Sequence, residues 1–506
     1  MKKILMVASE ASPFAKTGGL ADVIGGLPPA LNQLGADVRV IMPKYEYAGK
    51  SKKIVRDEAT GELEEIEEKK TLGEILWEND ITVRHLGEIY VSLGWRSLYC
   101  GIEQAQYRGV TYYFIDNEFY FKRDSCYGYG DDEERFAFFC RAVLEVLPHL
   151  DFIPDVLHCH DWQTGMVPVL LEAQYRGLEQ YRDIRTVFTI HNLKFQGIYG
   201  ISEMKEWFGL GEEYFTSDKL EFFGAASFMK GGLVYTNLIT TVSETYAQEI
   251  KDPYYGEHLE GLLKARENDL VGIVNGIDYE VFNPKTDLFI YKNYTKSTLK
   301  EKRQNKVELQ KRLGLTVDED IPMIGLVSRL TDQKGLALIE CVFDEIMSEE
   351  VQFVILGSGD RKYEELFQNA VDRYPGRVAV KIAYSEPRAQ RIYAASDFFL
   401  MPSLFEPCGL GQLISMRYGT LPIVRETGGL RDTVLPYNEV TGEGNGFSFA
   451  NYNAHDMLYT IQRALRLYRK KTLRAKLIKA AMSCNNSWEL PAGKYMELYD
   501  RLKSNE

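Results

Sequence analysis

The sequence predicts an α/β protein with two doubly wound domains, each built on a parallel sheet. Short apolar runs rich in β-branched residues alternate with helical patterns in the first half of the chain, and the same alternation returns in the second half. Strands separated by helices are typical of parallel sheets covered on both faces. The chain also has 506 residues, which is too many for one ordinary hydrophobic core.

The predicted strands form two series. Those of the first half lie at residues 4–7, 38–42, 110–115, 156–159, 186–190 and 238–242. Those of the second half lie at residues 323–327, 351–356, 378–382, 398–401 and 421–424. We expect the join between residues 245 and 275, where a polar stretch leads into VGIVNGID. Residues 51–80 are dense in Lys and Glu, which indicates a solvated insertion on the first domain.

Composition excludes several classes of function. The formal net charge is −13, which disfavours nucleic acid and anionic membranes as partners. No apolar run approaches the roughly 20 residues that span a bilayer, and we see no signal peptide after the first residues. The seven cysteines are scattered and odd in number, which favours a reducing cytoplasm over a disulfide framework.

A glycine turn follows the first predicted strand and has a near copy late in the chain. The first is KTGGLADV, with Lys16, Gly18 and Gly19, and the second is ETGGLRDTV, which begins at Glu426. Glycines let the backbone approach a phosphate, and lysine adds positive charge. The alternative is a plain turn with an exposed lysine, because the motif is neither GxGxxG nor a Walker A sequence.

Three of the seven histidines stand at predicted strand ends. HCHDWQTG contains His158 and His160, and HNLKFQG begins at His191. A zinc site with Cys159 is disfavoured, because adjacent strand residues point to opposite faces and no second ligand pair follows at metal spacing. We expect His160 to bind through hydrogen bonds or handle a proton, and His158 to be buried with its hydrogen bonds satisfied.

The second half supplies cations at a strand end. GLVSRLTDQKG places Arg329 and Lys334 in one loop, which suits a diphosphate, although two solvated side chains remain the alternative. Tyr384 in AYSEP either stacks on a base or simply packs.

The segment MPSLFEPCGLGQL brings a carboxylate to the start of a helix. Glu406 lies just before a helix expected near Leu410, where it either binds a ligand or caps the helix. Cys408 would need a nearby histidine to act as a nucleophile, and the chain after residue 258 contains only His455, so a packing or lining role is favoured.

Six motifs, in order and spanning nearly the whole chain, resemble bacterial glycogen synthases, the ADP-glucose enzymes that are also similar to plant starch synthases. They are KTGGLADV, HCHDW, VFTIHNLKFQG, SRLTDQKG, FEPCGLGQL and TGGLRDTV. The resemblance implies the GT-B fold, in which two Rossmann-like domains face each other across a deep cleft. The expected domains are residues 1–250, completed by a returning helix within 485–506, and residues 251–484.

The same resemblance implies an activity and its substrates. The reaction transfers glucose, with retention of configuration, from ADP-glucose to the 4-hydroxyl at the non-reducing end of an α-1,4-glucan such as glycogen. It needs neither a metal nor a cofactor. Nucleic acid and membrane are not expected as partners, and the sequence predicts no particular oligomeric state.

The family's motifs also imply roles for individual residues. Lys16 reaches the donor, Arg329 and Lys334 neutralise the departing diphosphate, and Glu406 contacts the sugar hydroxyls. His160 lies near the reacting glucose, Asp131 helps to hold the acceptor or the transferring sugar, and Tyr384 lies beside the adenine. The other expected donor contacts are Gly18, Gly19, Cys408, Gly409, Leu410, Gly411, Thr427 and Gly428.

The sequence departs from the pattern of related transferases at two positions. Three other functions were also considered. Related transferases often have a second glutamate where this chain has Ile414, and some have threonine where it has Gly411. An epimerase of the same fold would not lengthen a glucan, and a non-catalytic glucan-binding protein would not need a diphosphate pocket. A dehydrogenase is disfavoured because no GxGxxG follows a strand at the required spacing from an acidic residue.

Overall fold

A computed structural model describes residues 1–56, 63–383 and 385–502, and it divides the chain into two compact units. The first unit contains Met1–Val242, Ala247–Asn275 and the residues from Trp488 onward. The second contains Ser243–Tyr246 and Gly276–Ser487. This division differs from the boundary predicted after residue 250, because Ala247–Asn275 belongs to the first unit.

The first unit is built on a nine-stranded sheet of order β14-β13-β9-β8-β1-β2-β7-β6-β5. The strands along residues 1–275 are β1 (Lys3–Val7), β2 (Asp37–Pro43), β3 (Tyr47–Arg56), β4 (Leu63–Thr71), β5 (Val83–Leu93), β6 (Arg96–Tyr107), β7 (Val110–Asp116), β8 (Val156–His160), β9 (Arg185–Ile190), β10 (Ile198–Tyr199), β11 (Glu221–Phe222), β12 (Ala225–Ser227), β13 (Leu238–Thr241) and β14 (Leu270–Gly272). Seven neighbouring strands, from β14 to β7, are parallel, and β6 and β5 add an antiparallel edge.

Helices connect these strands as a doubly wound sheet requires. Along residues 1–275 they are α1 (Gly19–Gln33), α2 (Leu72–Glu78), α3 (Glu118–Phe121), α4 (Asp132–Val146), α5 (Met166–Leu170), α6 (Ile201–Phe208), α7 (Phe228–Tyr235), α8 (Glu244–Glu249) and α9 (Glu260–Ala265). Every residue of the central strand β8 is buried, as expected where both faces of a parallel sheet are covered.

Residues 51–80, interpreted from the sequence as a solvated insertion, contain secondary structure where the structure describes them, and residues 57–62 lie outside the described residues. β3 and β4 pair antiparallel as a separate two-stranded sheet, and α2 follows with a capping box between Thr71 and Glu74. β5 and β6 were not predicted from the sequence, because their exposed and half-exposed residues interrupt the apolar pattern expected of buried strands.

The second unit is a six-stranded, wholly parallel sheet of order β17-β16-β15-β18-β19-β20. Its elements are α10 (Leu299–Arg312), β15 (Met323–Val327), α11 (Leu336–Cys341), α12 (Phe343–Ser348), β16 (Gln352–Gly357), α13 (Arg361–Arg373), β17 (Val378–Ile382), α14 (Glu386–Ala395), β18 (Phe398–Met401), α15 (Gly411–Arg417), β19 (Leu421–Arg425), α16 (Gly428–Thr433), β20 (Phe447–Phe449), α17 (Ala454–Tyr468) and α18 (Lys471–Met482). The prediction of two Rossmann-like parallel sheets is thereby confirmed.

The last helix, α19 (Glu489–Arg501), packs in the first unit. The Trp488 indole lies so close to α1 that a Cβ on Gly26 would come within 2.1 Å of its Nε1 atom. Lys2 and Asp500 form an ion pair. Residues at both extremes of the sequence therefore contribute to one core.

No helix in the part of the chain that the structure describes is both long and apolar enough to traverse a lipid bilayer. All seven cysteines are free thiols.

Candidate active site

Three neighbouring strands of the first unit end at one edge of its sheet and carry the residues singled out from the sequence. They are β9, β8 and β1, which lie side by side and parallel. In parallel sheets the loops after such strand ends form the ligand-binding edge. The KTGGL loop, the HDW segment and the HNLKFQG loop therefore share this edge.

Glu10, which the sequence analysis passed over, holds the KTGGL loop in place. Its carboxylate is only 3% exposed. Oε2 accepts hydrogen bonds from the backbone N–H groups of Thr17 and Gly18 at 2.5 and 3.2 Å, and Oε1 accepts from the Thr17 and Tyr127 hydroxyls at 2.6 and 2.7 Å. A buried carboxylate with four donors is a fixed support for the loop. The available signal was an acidic residue directly between a buried strand and a glycine turn.

Lys16 stands at the outer side of this loop. Its Nζ atom lies 2.6 Å from Oδ1 of Asp22, and both side chains are about a quarter exposed. Gly18 precedes α1 with an extended backbone, and a Cβ there would meet nothing within 4 Å. Gly19 is the first residue of α1. Space therefore exists beside this turn for a ligand to approach the backbone.

The histidines form a cluster at the ends of β8 and β9. The His158 and His160 rings are 4.2 Å apart between centroids, and His160 Nδ1 lies 3.0 Å from His191 Nε2. His158 Nδ1 and Nε2 lie 2.7 Å from the Tyr499 hydroxyl and 2.6 Å from the Thr189 hydroxyl. The prediction that His158 is buried and satisfied is therefore confirmed.

His160, unlike His158, has a ring nitrogen without a hydrogen-bond partner among the described residues. The residue is completely buried, and burial lowers its pKa well below the usual value, so its imidazole is neutral near pH 7. Its Nε2 atom is buried and has no hydrogen-bond partner among the residues that the structure describes. Buried polar atoms almost always find a partner, so this nitrogen is suited to a ligand hydroxyl.

Two aspartates beside the histidines are held in fixed positions. Asp161 has a positive φ of 58°, and its Oδ1 accepts from the backbone N–H groups of His191 and Asn192 at 2.7 and 3.4 Å. Burial raises the pKa of Asp161 to about 7. Asp131, the residue before α4, forms two hydrogen bonds of 2.6 Å with the Arg123 guanidinium, which lowers its pKa.

In the second unit the corresponding edge is formed by β15, β18 and β19, and it brings Lys334 and Glu406 together. Lys334 Nζ and the Ser403 hydroxyl donate to the same Glu406 oxygen, Oε2, at 2.7 and 2.9 Å. Glu406 is 6% exposed. Arg329 is exposed, with Nη2 at 3.4 Å from Gln333 Oε1. The two predicted cations thus differ: one is paired with a buried carboxylate, and the other faces solvent.

Glycines allow the loops around Glu406 to pack this tightly. Gly335 has φ +70°, and a Cβ there would lie 1.9 Å from the Pro402 carbonyl oxygen. Gly428 has φ +43°, and its Cβ would lie 1.9 Å from the Glu406 carbonyl oxygen. The Arg425 guanidinium also donates to the Leu404 carbonyl at 2.6 Å. No side chain larger than hydrogen fits at either glycine without moving the loop.

The remaining predicted donor contacts lie beside this loop. Cys408 is buried, Gly409 has φ +74°, and Leu410 and Gly411 open α15. Thr427 is fully buried at the start of α16. Tyr384 lies outside the described residues.

The two similar glycine turns differ in the structure. The first contains an ion pair between Lys16 and Asp22. In the second, Glu426 accepts from the Ser448 hydroxyl at 2.7 Å, and Asp432 accepts from Thr245. Their shared letters therefore do not give them the same electrostatic character. Across the described part of the chain, no group of three or more His, Cys, Asp and Glu side chains is arranged to hold a metal ion.

The chain is similar over nearly its whole length to glycogen synthases and to glycosyltransferase families. The family model for the starch synthase catalytic domain matches residues 3–265, and that for glycosyl transferases group 1 matches residues 309–483. The chain is 53% identical over 504 residues to a glycogen synthase of Geobacillus thermodenitrificans, covering 100% of this chain and 98% of that protein. It is 51% identical over 499 residues to a glycogen synthase of Clostridium acetobutylicum, covering 98% and 99% of the two chains.

A solved structure is similar over the same length. The catalytic domain of starch synthase IV from Arabidopsis thaliana, bound to ADP and acarbose, matches with a TM-score of 0.88 and 33% identity, covering 100% of both chains.

Proposed function

The chain belongs to the glycosyltransferase family of bacterial glycogen synthases and plant starch synthases, and on this premise we propose how its residues divide the work of extending a glucan. Its activity is that of a glycogen synthase: glucose passes from ADP-glucose to the non-reducing 4-hydroxyl of an α-1,4-glucan, and ADP is released. The observation that carries the division of work is the buried Glu406 carboxylate, held by Lys334 and Ser403 at a strand-end edge.

The second unit is proposed to hold the donor. As the bond between the glucose C1 and the diphosphate oxygen breaks, ADP gains negative charge, which Arg329 and Lys334 neutralise. Cations that are already in position stabilise this charge more in the transition state than in the ground state. Lys334 is in position because Glu406 anchors its Nζ atom at 2.7 Å. Glu406, with one oxygen occupied by Lys334 and Ser403, binds the hydroxyls of the glucose.

The first unit is proposed to hold the transferring glucose and the acceptor. His160 is neutral, and its unpartnered Nε2 atom suits a sugar hydroxyl. Asp131 is fixed by Arg123 and helps to position a sugar. Lys16 adds charge toward the donor from the loop that Glu10 supports. Each unit is therefore assigned its own substrate contacts.

Retention of configuration is proposed to occur by attack on the same face from which ADP leaves. The acceptor 4-oxygen forms the new bond to C1, and its proton passes to the departing phosphate oxygen. A covalent intermediate would need a carboxylate free to attack C1. Glu406 is instead assigned to the sugar hydroxyls, with its Oε2 atom held by Lys334 and Ser403.

One assay distinguishes the proposed activity from that of an epimerase or a non-catalytic glucan-binding protein. Incubated with glycogen and ADP-glucose in the presence of a chelator, the protein is expected to release ADP and lengthen the glucan, with UDP-glucose a poorer donor. Nucleotide release and chain length are measured together. ADP release without extension, or neither, would defeat the proposal.

Lys16→Ala is expected to lower kcat/KM for ADP-glucose by about 100-fold, because a fixed cation near the diphosphate is lost. Lys251→Ala is the control, since Lys251 is also in the first unit and paired with one carboxylate, Glu267. Initial rates at varied ADP-glucose give the result. Equal rates for the two variants would remove Lys16 from the donor site.

We also propose the cytoplasm as the location of the protein, supported by scattered cysteines that are all free thiols.

A further inference from the structure

Among the described residues, His191 is the one hydrogen-bond partner of the His160 ring. Its Nε2 atom lies 3.0 Å from His160 Nδ1, whereas His160 Nε2 is buried without a partner. A neutral imidazole has one N–H donor and one bare acceptor nitrogen. The hydrogen bond at one nitrogen therefore determines what the other nitrogen can offer to a ligand. The activity described above assigns no role to His191.

Both rings of this pair are neutral near pH 7. Burial lowers the pKa of His160 well below its usual value and that of His191 to about 3. Two neutral rings can then bond in two ways: His160 Nδ1–H donates to His191 Nε2, or His191 Nε2–H donates to His160 Nδ1. The first arrangement leaves His160 Nε2 as a bare acceptor. The second makes it an N–H donor.

The surroundings of the two outer nitrogens favour the first arrangement. The second would place an N–H on His160 Nε2, which is enclosed and unpartnered. The first places the outer N–H on His191 Nδ1. His191 is half-buried, and its Nδ1 atom is not among the enclosed unpartnered atoms of the described residues. Because buried N–H groups without an acceptor are rarer than under-used acceptors, the proton is expected on His160 Nδ1.

The backbone holds His191 in place beside His160. The His191 N–H donates to Asp161 Oδ1 at 2.7 Å, and the Asp161 N–H donates to the Thr189 carbonyl at 3.0 Å. Asp161 has a positive φ of 58°, a conformation that persists only where the surrounding structure determines it. The His160 and His191 ring centroids are 5.2 Å apart. Asp161 therefore ties the end of β8 to the end of β9 and fixes the spacing of the two rings.

His158 covers His160 but cannot replace His191 as its hydrogen-bond partner. The His158 and His160 ring centroids are 4.2 Å apart, and the ring planes are inclined by 30°. Both His158 nitrogens already bond to hydroxyls, those of Tyr499 and Thr189. His158 thus restrains the His160 ring by packing, and the position of the His160 proton depends on His191.

From these observations we propose that His191 is a positioning residue, which accepts the Nδ1–H of His160 and so keeps His160 Nε2 a bare acceptor for a hydroxyl of the transferring glucose. Without His191, the His160 ring is free to change tautomer and present an N–H at that position instead. This inference rests on the proposed function, because the transferring glucose supplies the hydroxyl. The effect of His191 is exerted through His160.

The tautomer of His160 can be measured without substrate. The chain has seven histidines, so protein labelled with ¹⁵N-histidine gives few imidazole signals, and His160→Ala identifies those of His160. In long-range ¹H–¹⁵N spectra we expect wild-type His160 to be protonated at Nδ1 alone. His191→Phe keeps a ring without nitrogens, and there we expect an Nε2–H form to appear. A wild-type His160 protonated at Nε2, or the same single tautomer in both proteins, would overturn the inference.

A double-mutant cycle determines whether His191 acts through His160. We expect His191→Phe to lower kcat/KM for ADP-glucose about five- to twentyfold, as the loss of one hydrogen bond predicts, with KM for glycogen within twofold. His191→Gln, whose amide oxygen can accept in place of Nε2, should recover kcat/KM to within about threefold of the wild type. In the His160→Ala background, His191→Phe should have no further effect. Equal fold-losses in both backgrounds would indicate a merely structural role and contradict the proposal.

His149→Phe is the matched control, because His149 is an exposed histidine of the same unit. We expect it to retain the wild-type rates and the wild-type His160 signals. A loss of the Nδ1–H form in this variant as well would count against a specific role of His191. Failure of the wild type to extend any glucan would instead count against the proposed function, while the spectra would still test the tautomer of His160.

Discussion

Glu406→Gln is expected to lower kcat by about 10²- to 10³-fold, the range found when one preorganised polar group is removed from an active site. The substitution keeps the shape of the side chain and removes its charge. Lys334, now without its counter-charge at 2.7 Å, is no longer fixed for the leaving diphosphate. The amide also places an N–H₂ group or a neutral oxygen where the carboxylate met the Ser403 hydroxyl. Initial rates with saturating ADP-glucose and glycogen measure the loss.

Glu426→Gln is the control for this experiment. Glu426 lies in the same unit and likewise accepts a hydrogen bond from a serine, Ser448, at 2.7 Å. We expect this variant to retain at least about a third of the wild-type kcat, which would be a barrier change of under 1 kcal/mol. Thermal unfolding of both variants separates a catalytic loss from an unfolded protein. A Glu406→Gln variant as active as the control would contradict the role proposed for Glu406.

Gly335→Ala is expected to destabilise the second unit by about 2–4 kcal/mol, combining left-handed backbone strain with overpacking. Its Cβ would lie 1.9 Å from the Pro402 carbonyl oxygen, so the Lys334 loop and the Glu406 loop must move apart. KM for ADP-glucose should rise with the loss of stability, because the same movement separates Lys334 from Glu406. Urea unfolding and donor kinetics measure the two effects.

Gly314→Ala isolates the backbone contribution. Gly314 lies in the same unit with nearly the same φ, +67°, but a Cβ there would meet nothing within 4 Å. We expect a loss of about 1–2 kcal/mol and unchanged kinetics. If both variants lost equal stability, loop packing at Gly335 would not be the reason for its glycine.

The parallel sheets were predictable because their strands are buried on both faces and appear in the sequence as short apolar runs. β5 and β6 were not predictable in the same way, because they form the antiparallel edge and carry half-exposed residues. The predicted strand ends also allowed the loops of both candidate edges to be placed. Sequence patterns therefore work best where burial is complete, and lose information where one face of a strand is solvated.

The side-chain contacts within each candidate edge were harder to predict from the sequence. Lys334 and Glu406 are 72 residues apart in sequence, and no local pattern indicates that they share a hydrogen bond. Glu10 gave a signal, an acid between a strand and a glycine turn, but a solvated surface residue would look the same. Its function as the support of the KTGGL loop depends on Tyr127, 117 residues away.

The return of α19 to the first unit bears on the order in which the protein is completed during synthesis. Residues 243–246 and 276–487, which form the second unit, are translated before Trp488 and Tyr499 exist. Until then His158 lacks the hydroxyl that contacts its Nδ1 atom, and Gly26 lacks the indole that packs on α1. A nascent chain can therefore have its entire second unit available for folding while the histidine cluster of the first is still unfinished. The part of the enzyme translated first is the part completed last.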